Sequence, residues 1–141
     1  MPRHQKTWRV LYRAYADFYQ TVITDDMLTL VWSWLMDTQC ELRGLAAQKG
    51  DDITAIAHWR LHIRPLSAQK SAYLDDVFVN PEMRRAGLGR LLINEAANRA
   101  KSEGGALLRW ATAKDNTTAQ MLYDKIARRT DWLIYDMNLN P

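Results

Sequence analysis

Between Ser71 and Ser102 a strand-like apolar stretch gives way to a segment of helical period across a single short loop. "SAYLDDVFV" is rich in aromatic and β-branched residues and reads as a strand, stopped by Asn80-Pro81. "RRAGLGRLLINEAANRAKS" follows, with apolar residues at helical spacing from about Gly87 to Ser102 and Gly104-Gly105 as the stop. A strand that runs through a glycine loop into a helix, with a further strand "ALLRWAT" beyond, commits the chain to an α/β arrangement.

The rest of the chain supplies the flanking elements. Trp8, Leu11, Tyr12, Tyr15, Phe18, Tyr19 and Val22 fall on one face of a helix from about Lys6 to Thr21. This segment is basic and free of acid until Asp17, a texture that organelle-targeting helices share, but its aromatic stripe reads as core. Thr24 then reads as the N-cap of a second helix, with Asp25 and Asp26 suited to its first turn and Leu28, Val31, Trp32, Leu35 and Met36 buried. Some of these rings are also candidates for a substrate-pocket wall.

"CELRGLAAQ" and "ITAIAHWRLHIR", separated by Lys49-Gly50-Asp51-Asp52, read as a β-hairpin whose second strand has one apolar face and one cationic face. After "ALLRWAT", Asn116 caps a short helix in "NTTAQMLYDKIARR", and "DWLIYDMNL" reads as a final strand. The expected order is α-α-β-β-β-α-β-α-β, a mixed sheet flanked by helices in a single domain, residues 1–141. No repeat or linker interrupts it.

Composition narrows the function classes. The net charge of +3, from 19 basic and 16 acidic residues, permits an anionic ligand without demanding nucleic acid. One cysteine, Cys40, excludes an internal disulfide, and no uncharged run approaches the ~20 residues of a membrane span. The expectation is a soluble, cytoplasmic protein with no membrane partner. His58 and His62, at i and i+4 on one strand face, lack a third ligand at suitable spacing and have Arg60 between them, so no metal site is expected.

The loop before the third helix is the chemically loaded stretch. The first amides of a helix have no internal partner and carry partial positive charge, so they attract anions. Glycines let a phosphate approach the bare backbone there. Arg84, Arg85 and Arg90 add charge at the same end, and Arg90 opposes the helix dipole unless an anion compensates it. Gly87-Leu88-Gly89-Arg90-Leu91-Leu92 is neither a dinucleotide fingerprint nor a P-loop. As a bare pattern it fits a phosphate site or a glycine turn with solvated arginines.

Arg84-Arg85-Ala86-Gly87-Leu88-Gly89 resembles the Q/R-x-x-G-x-G/A signature of the GNAT acetyltransferase superfamily, and Asn116, Ala119, Leu122 and Tyr123 resemble its N-x-x-A-x-x-L/F-Y segment. The resemblance spans about residues 6–137. It implies acetyl-CoA as cosubstrate, with its pyrophosphate on the amides from Arg85 through Ala86, Gly87, Leu88 and Gly89 to Arg90. Pantetheine would pair with the edge of Val77, Phe78 and Val79, and Asn116 and Ala119 would meet the CoA arm. Tyr123 would be the general acid that protonates the departing thiolate, a step suited to a phenol of pKa about 10.

"YLDDVFV" is similar to the corresponding stretch of spermidine/spermine-type members, which implies that Asp75, and with it Asp76, holds a cationic amine. Adjacent strand residues face opposite sides, so one carboxylate is expected in the cleft, and Asp75 is the choice. His58 is a further candidate for the acceptor cleft, as a proton relay. Similarity to small microbial members related to the yeast histone and polyamine acetyltransferases implies a homodimer. The reading is an N-acetyltransferase that acts on a primary amine, such as a polyamine, by direct transfer. The alternative is a non-catalytic acyl-CoA-binding module. One departure stands out: only Met1 to Gln5 precede the first helix, where the family usually has a strand.

Overall fold

A computed structural model describes residues 2–84 and 86–140, and its backbone divides into two compact units, Met1–Trp110 and Ala111–Pro141. In the first unit, the one-turn 3-10 segment Pro2–His4 leads into α1 (Gln5–Phe18), followed by α2 (Asp25–Met36). The sheet comprises β1 (Leu42–Lys49), β2 (Asp52–Arg64), β3 (Gln69–Val79) and, beyond α3 (Leu88–Ser102), β4 (Gly105–Arg109). The strands lie in the order β1-β2-β3-β4, antiparallel except for the parallel β3–β4 pair. The mixed α/β fold expected from the sequence is therefore formed.

Local chemistry sets the boundaries. Thr24 Oγ1 accepts from the Met27 amide at 3.2 Å and starts α2. Gly50, at φ 62°, turns the β1–β2 hairpin in a conformation that a β-carbon would disfavour. Asn80 accepts from the Glu82 amide at 3.1 Å, ending β3 where Pro81 removes a ladder donor. No strand precedes α1 among the described residues, and no described helix is long and apolar enough to cross a membrane.

The core forms where α1 and α2 cover the sheet. Trp8, Leu11 and Leu28 pack with Ile53, Ile56 and Phe78 in one buried cluster. Burying an aliphatic or aromatic side chain of this size is worth about 1.5–3 kcal/mol, which is why Trp8 and Leu11 of the α1 stripe are core, with Tyr12 and Tyr15 packed against them. The expected stripe runs too far, however: Phe18, Tyr19 and Val22, and Met36 of α2, are exposed. Gly44 on β1 leaves room for Leu35 of α2, whose Cδ2 lies 2.9 Å from where a β-carbon would sit. Helix α3 buries Leu92, Ile93, Ala96 and Ala100 and packs chiefly on β3 and β4.

In the second unit, Asn116 caps α4 (Thr117–Ile126) by accepting from the Ala119 amide at 3.4 Å. The final strand expected from "DWLIYDMNL" is not formed: residues 131–139 have no regular structure, and Trp132, Leu133, Ile134 and Tyr135 are exposed. Aromatic and β-branched residues such as Trp132, Ile134 and Tyr135 supply strand propensity, but a strand exists only through a paired edge, and no ladder partner meets this stretch among the described residues.

Candidate active site

The site is organised by β3. Its ladder with β2 pairs His58 with Asp76 and then Trp59 with Leu74, so Asp75 is an extra residue in a β-bulge. The bulge breaks the strict alternation on which the single-carboxylate expectation rested. Asp75 and Asp76 consequently line the same cleft, a cavity of about 580 Å³ walled also by Tyr12, Trp34, Glu41 and Arg60.

Asp76 is the anchored member of the pair. Its Oδ2 accepts from His58 Nδ1 at 2.9 Å and from the Tyr12 hydroxyl at 3.0 Å. The Trp8 indole N–H donates to His58 Nε2 at 3.0 Å. An indole nitrogen is only a donor, so Nε2 must be the unprotonated nitrogen and Nδ1–H must point at Asp76. The three side chains fix one imidazole tautomer. His58 is 2% exposed, beneath Trp8 and Tyr12, and both ring nitrogens are occupied in this arrangement.

Burial alone would raise the Asp76 carboxyl. The hydrogen bond from His58, with the Tyr12 and Tyr15 hydroxyls, outweighs it and holds the carboxyl below the usual aspartate range. Burial first, and then the Asp76 charge, pushes the Tyr12 and Tyr15 phenols above the usual tyrosine range, so both remain donors. The cleft thus holds a carboxylate that is ionised at neutral pH, under an aromatic wall.

Asp75 has a different partner. The Arg60 guanidinium grips it side-on, with Nε 2.9 Å from Oδ2 and Nη2 3.1 Å from Oδ1. Arg60 also lies over the Tyr73 ring, 5.2 Å from its centroid. That hydrogen bond to Asp75 raises the guanidinium pKa further, against a smaller opposing effect of burial.

Continuing along β3, pairing with β4 stops at Tyr73–Arg109. Beyond that point Val77, Phe78 and Val79 have no β4 partner, and one strand edge stands open. The next loop leads to α3, whose N-cap Gly87 adopts φ 77° and offers no side-chain cap, and whose first turn contains no acid. Among the described residues, a β-carbon on Gly87 would meet nothing within 4 Å, and one on Gly89 only Val79 Cγ2 at 3.8 Å. No described residue therefore blocks an anion's approach to this helix end.

Among the candidate residues there, Ala86 and Arg90 are exposed, Leu88 and Gly89 half-buried, and Arg85 lies outside the described residues. Arg84 sits with its guanidinium 5.7 Å and 5.6 Å from the ring centroids of Phe18 and Phe78, which aligns it by cation–π contact. In the second unit, Asn116, Ala119 and Tyr123 are half-buried on one side of α4. The sequence reading did not single out Trp8, Tyr12, Arg60 or Glu41 as site residues; only the aromatic stripe of α1 pointed toward two of them.

A profile of the Acetyltransferase (GNAT) family matches residues 8–127. The chain is 31% identical over 140 residues to the D-amino-acid N-acetyltransferase HPA3 of Saccharomyces cerevisiae, covering 97% of this chain and 86% of the yeast protein. Among solved structures it resembles a probable acetyltransferase (TM-score 0.84, 22% identity, 98% of this chain and 93% of the other). It also resembles an aminoglycoside N-acetyltransferase solved in complex with CoA (TM-score 0.83, 17% identity, 96% and 89%).

Proposed function

The chain belongs to the acetyltransferase (GNAT) family, and from that premise we propose that it moves the acetyl group of acetyl-CoA directly to the primary amine of a small cationic acceptor, with donor and acceptor held together in a ternary complex. The observation that carries this reading lies on one strand. Residues 75 and 76 of β3 line an acidic cleft, while residues 77–79 form an open edge that leads to an uncapped helix end. Amine and thioester would therefore meet on adjacent residues.

Acetyl-CoA supplies the activated acyl group. The amides of Leu88, Gly89 and Arg90 receive its pyrophosphate, with Arg84 and Arg85 adding charge, and Val77 to Val79 pair with its pantetheine. Asp76 and Asp75 attract the acceptor's ammonium and take its proton through water, because only the free amine can attack a carbonyl. Nitrogen bonds to the acyl carbon, the carbon–sulfur bond breaks, and Tyr123 gives its proton to the thiolate. Polyamines are the simplest acceptors of this type. The yeast relative's name points to an amine carried by D-amino acids.

Residues 1–141 work as one acetyltransferase domain in this reading, since the matched profile, residues 8–127, includes parts of both compact units. The functional particle is a homodimer. Supporting it is the unpaired C-terminal stretch, where Ile134 is 71% and Tyr135 87% exposed. Light scattering should give a dimer for the wild type and a monomer for a Leu133→Asp, Ile134→Asp double variant; a monomeric wild type would remove this part.

Isothermal titration tests the central claim. Acetyl-CoA should bind in the micromolar range and free adenosine much more weakly. Tyr123→Phe should keep that affinity and lose roughly 10²–10⁴-fold in turnover, the usual contribution of a positioned acid. A variant that turns over like wild type would withdraw the acid from Tyr123. Folded wild-type protein that binds acetyl-CoA yet acetylates no amine would be a binding module instead.

A further inference from the structure

The Arg60–Asp75 pair has more donors than it uses. A guanidinium has five N–H groups in a rigid fork. Asp75 engages Nε and one N–H of Nη2, which leaves Nη1 and the outer N–H of Nη2 without a hydrogen bond among the described residues. Stacking on Tyr73 fixes the plane of the fork. The pair is also poorly suited to a stabilising role: its side chains are 43% and 27% exposed, and ion pairs in such surroundings contribute little. Both members line the acceptor cleft.

The charges of the cleft point the same way. Glu41, Asp75 and Asp76 stand against Arg60, three acids to one base, so the cleft favours a net cation yet has one fixed site for an anion. Along β2, Arg60 lies two residues from His58, the partner of Asp76, or about 7 Å. A single small molecule can therefore span from the Arg60 fork to the Asp76 carboxylate. A plain diamine would leave the fork empty and bring a second cation toward a guanidinium.

We infer that Arg60 is the carboxylate receptor of this cleft, and that the preferred acceptor is an amino acid with a basic side chain rather than a polyamine. The acceptor's carboxylate takes the open end of the fork while Asp75 holds the other side, and an ammonium meets Asp76. This inference rests on the acetyl-transfer reading above and deepens it.

Lysine and cadaverine differ only by the carboxylate, so they isolate the role of Arg60. Each lysine enantiomer and cadaverine are supplied with acetyl-CoA, and kcat/KM is measured for the wild type, Arg60→Met and Arg60→Lys. At least one lysine enantiomer should exceed cadaverine in the wild type by about tenfold or more, the worth of a charge-assisted fork. Arg60→Met should erase that ratio, mainly through KM for lysine, and Arg60→Lys should restore part of it. Isothermal titration of lysine into the folded variants reads the same loss without turnover. A wild type that prefers cadaverine, or an Arg60→Met variant with an unchanged ratio, overturns the role of Arg60 and leaves acetyl transfer standing. Failure of every amine to accept acetyl would instead remove the reading beneath it.

Discussion

Asp76→Asn should lower folding stability by about 2–3 kcal/mol at neutral pH, and the deficit should shrink as the solution is acidified. The carboxylate accepts from His58 at 2.9 Å and Tyr12 at 3.0 Å in a largely buried setting. An amide can offer one oxygen to these donors but not the charge. Its NH2 group would also face groups that are themselves donors, since Trp8 holds His58 with Nδ1–H toward this position.

The pH sign follows from the depressed carboxyl of Asp76. A carboxyl whose pKa is lower in the folded chain than in the unfolded one stabilises the fold above the unfolded value. That contribution is lost as pH falls through the folded value. The wild type should therefore lead Asp76→Asn at pH 7 and lose the lead below about pH 4. Urea unfolding of both proteins at several pH values checks it. Equal stability at neutral pH, or a gap that widens in acid, would mean that the carboxylate is not held ionised by its neighbours. Turnover should fall alongside, with KM for the amine rising more than KM for acetyl-CoA, because the lost charge faces the acceptor cleft.

The contrast between Asp76 and Asp75 also shows how far a sequence can be read. The caps at Thr24 and Asn116, the Gly50 hairpin turn and the stop at Asn80-Pro81 all depend on neighbours within a few residues, and each was legible. The start of α3 at Gly87 and Leu88 was legible for the same reason, since a helix end and its glycines are contiguous. The bulge was not. It depends on the register between β2 and β3, which adjacent aspartates on a strand do not encode.

Side-chain partners were hidden in the same way. Trp8 and His58 are 50 residues apart in sequence, and Tyr12 and Asp76 64, so only the docking of α1 on the sheet brings them together. The alternation of β2 separates a cationic face from an apolar one but does not say which of its residues α1 covers: His58 lies beneath α1 while Arg60 stays at the cleft. At the other end, the aromatic and β-branched residues of "DWLIYDMNL" announced a strand that has no partner edge within the described chain. Propensity reports what a segment could form; it does not say what will pair with it.

Gly89→Asp provides the sharpest separation of folding from binding, because the two effects should have opposite signs. Gly89 lies in the first turn of α3, without the positive φ that reserves a position for glycine, and a β-carbon there would touch only Val79 at an ordinary distance. Replacing glycine inside a helix and placing an acid against the uncapped, positive N-terminus should each add a few tenths to about 1 kcal/mol of stability. The same carboxylate would stand where the proposed pyrophosphate needs bare amides and positive charge. Affinity for acetyl-CoA should then fall by about 100-fold or more through repulsion in a partly desolvated site. Thermal unfolding and isothermal titration on one preparation read both effects. A variant that is more stable and still binds acetyl-CoA like the wild type would show that the anion does not sit on this helix end. A variant that loses both stability and binding would place Gly89 in a tighter contact than its surroundings indicate.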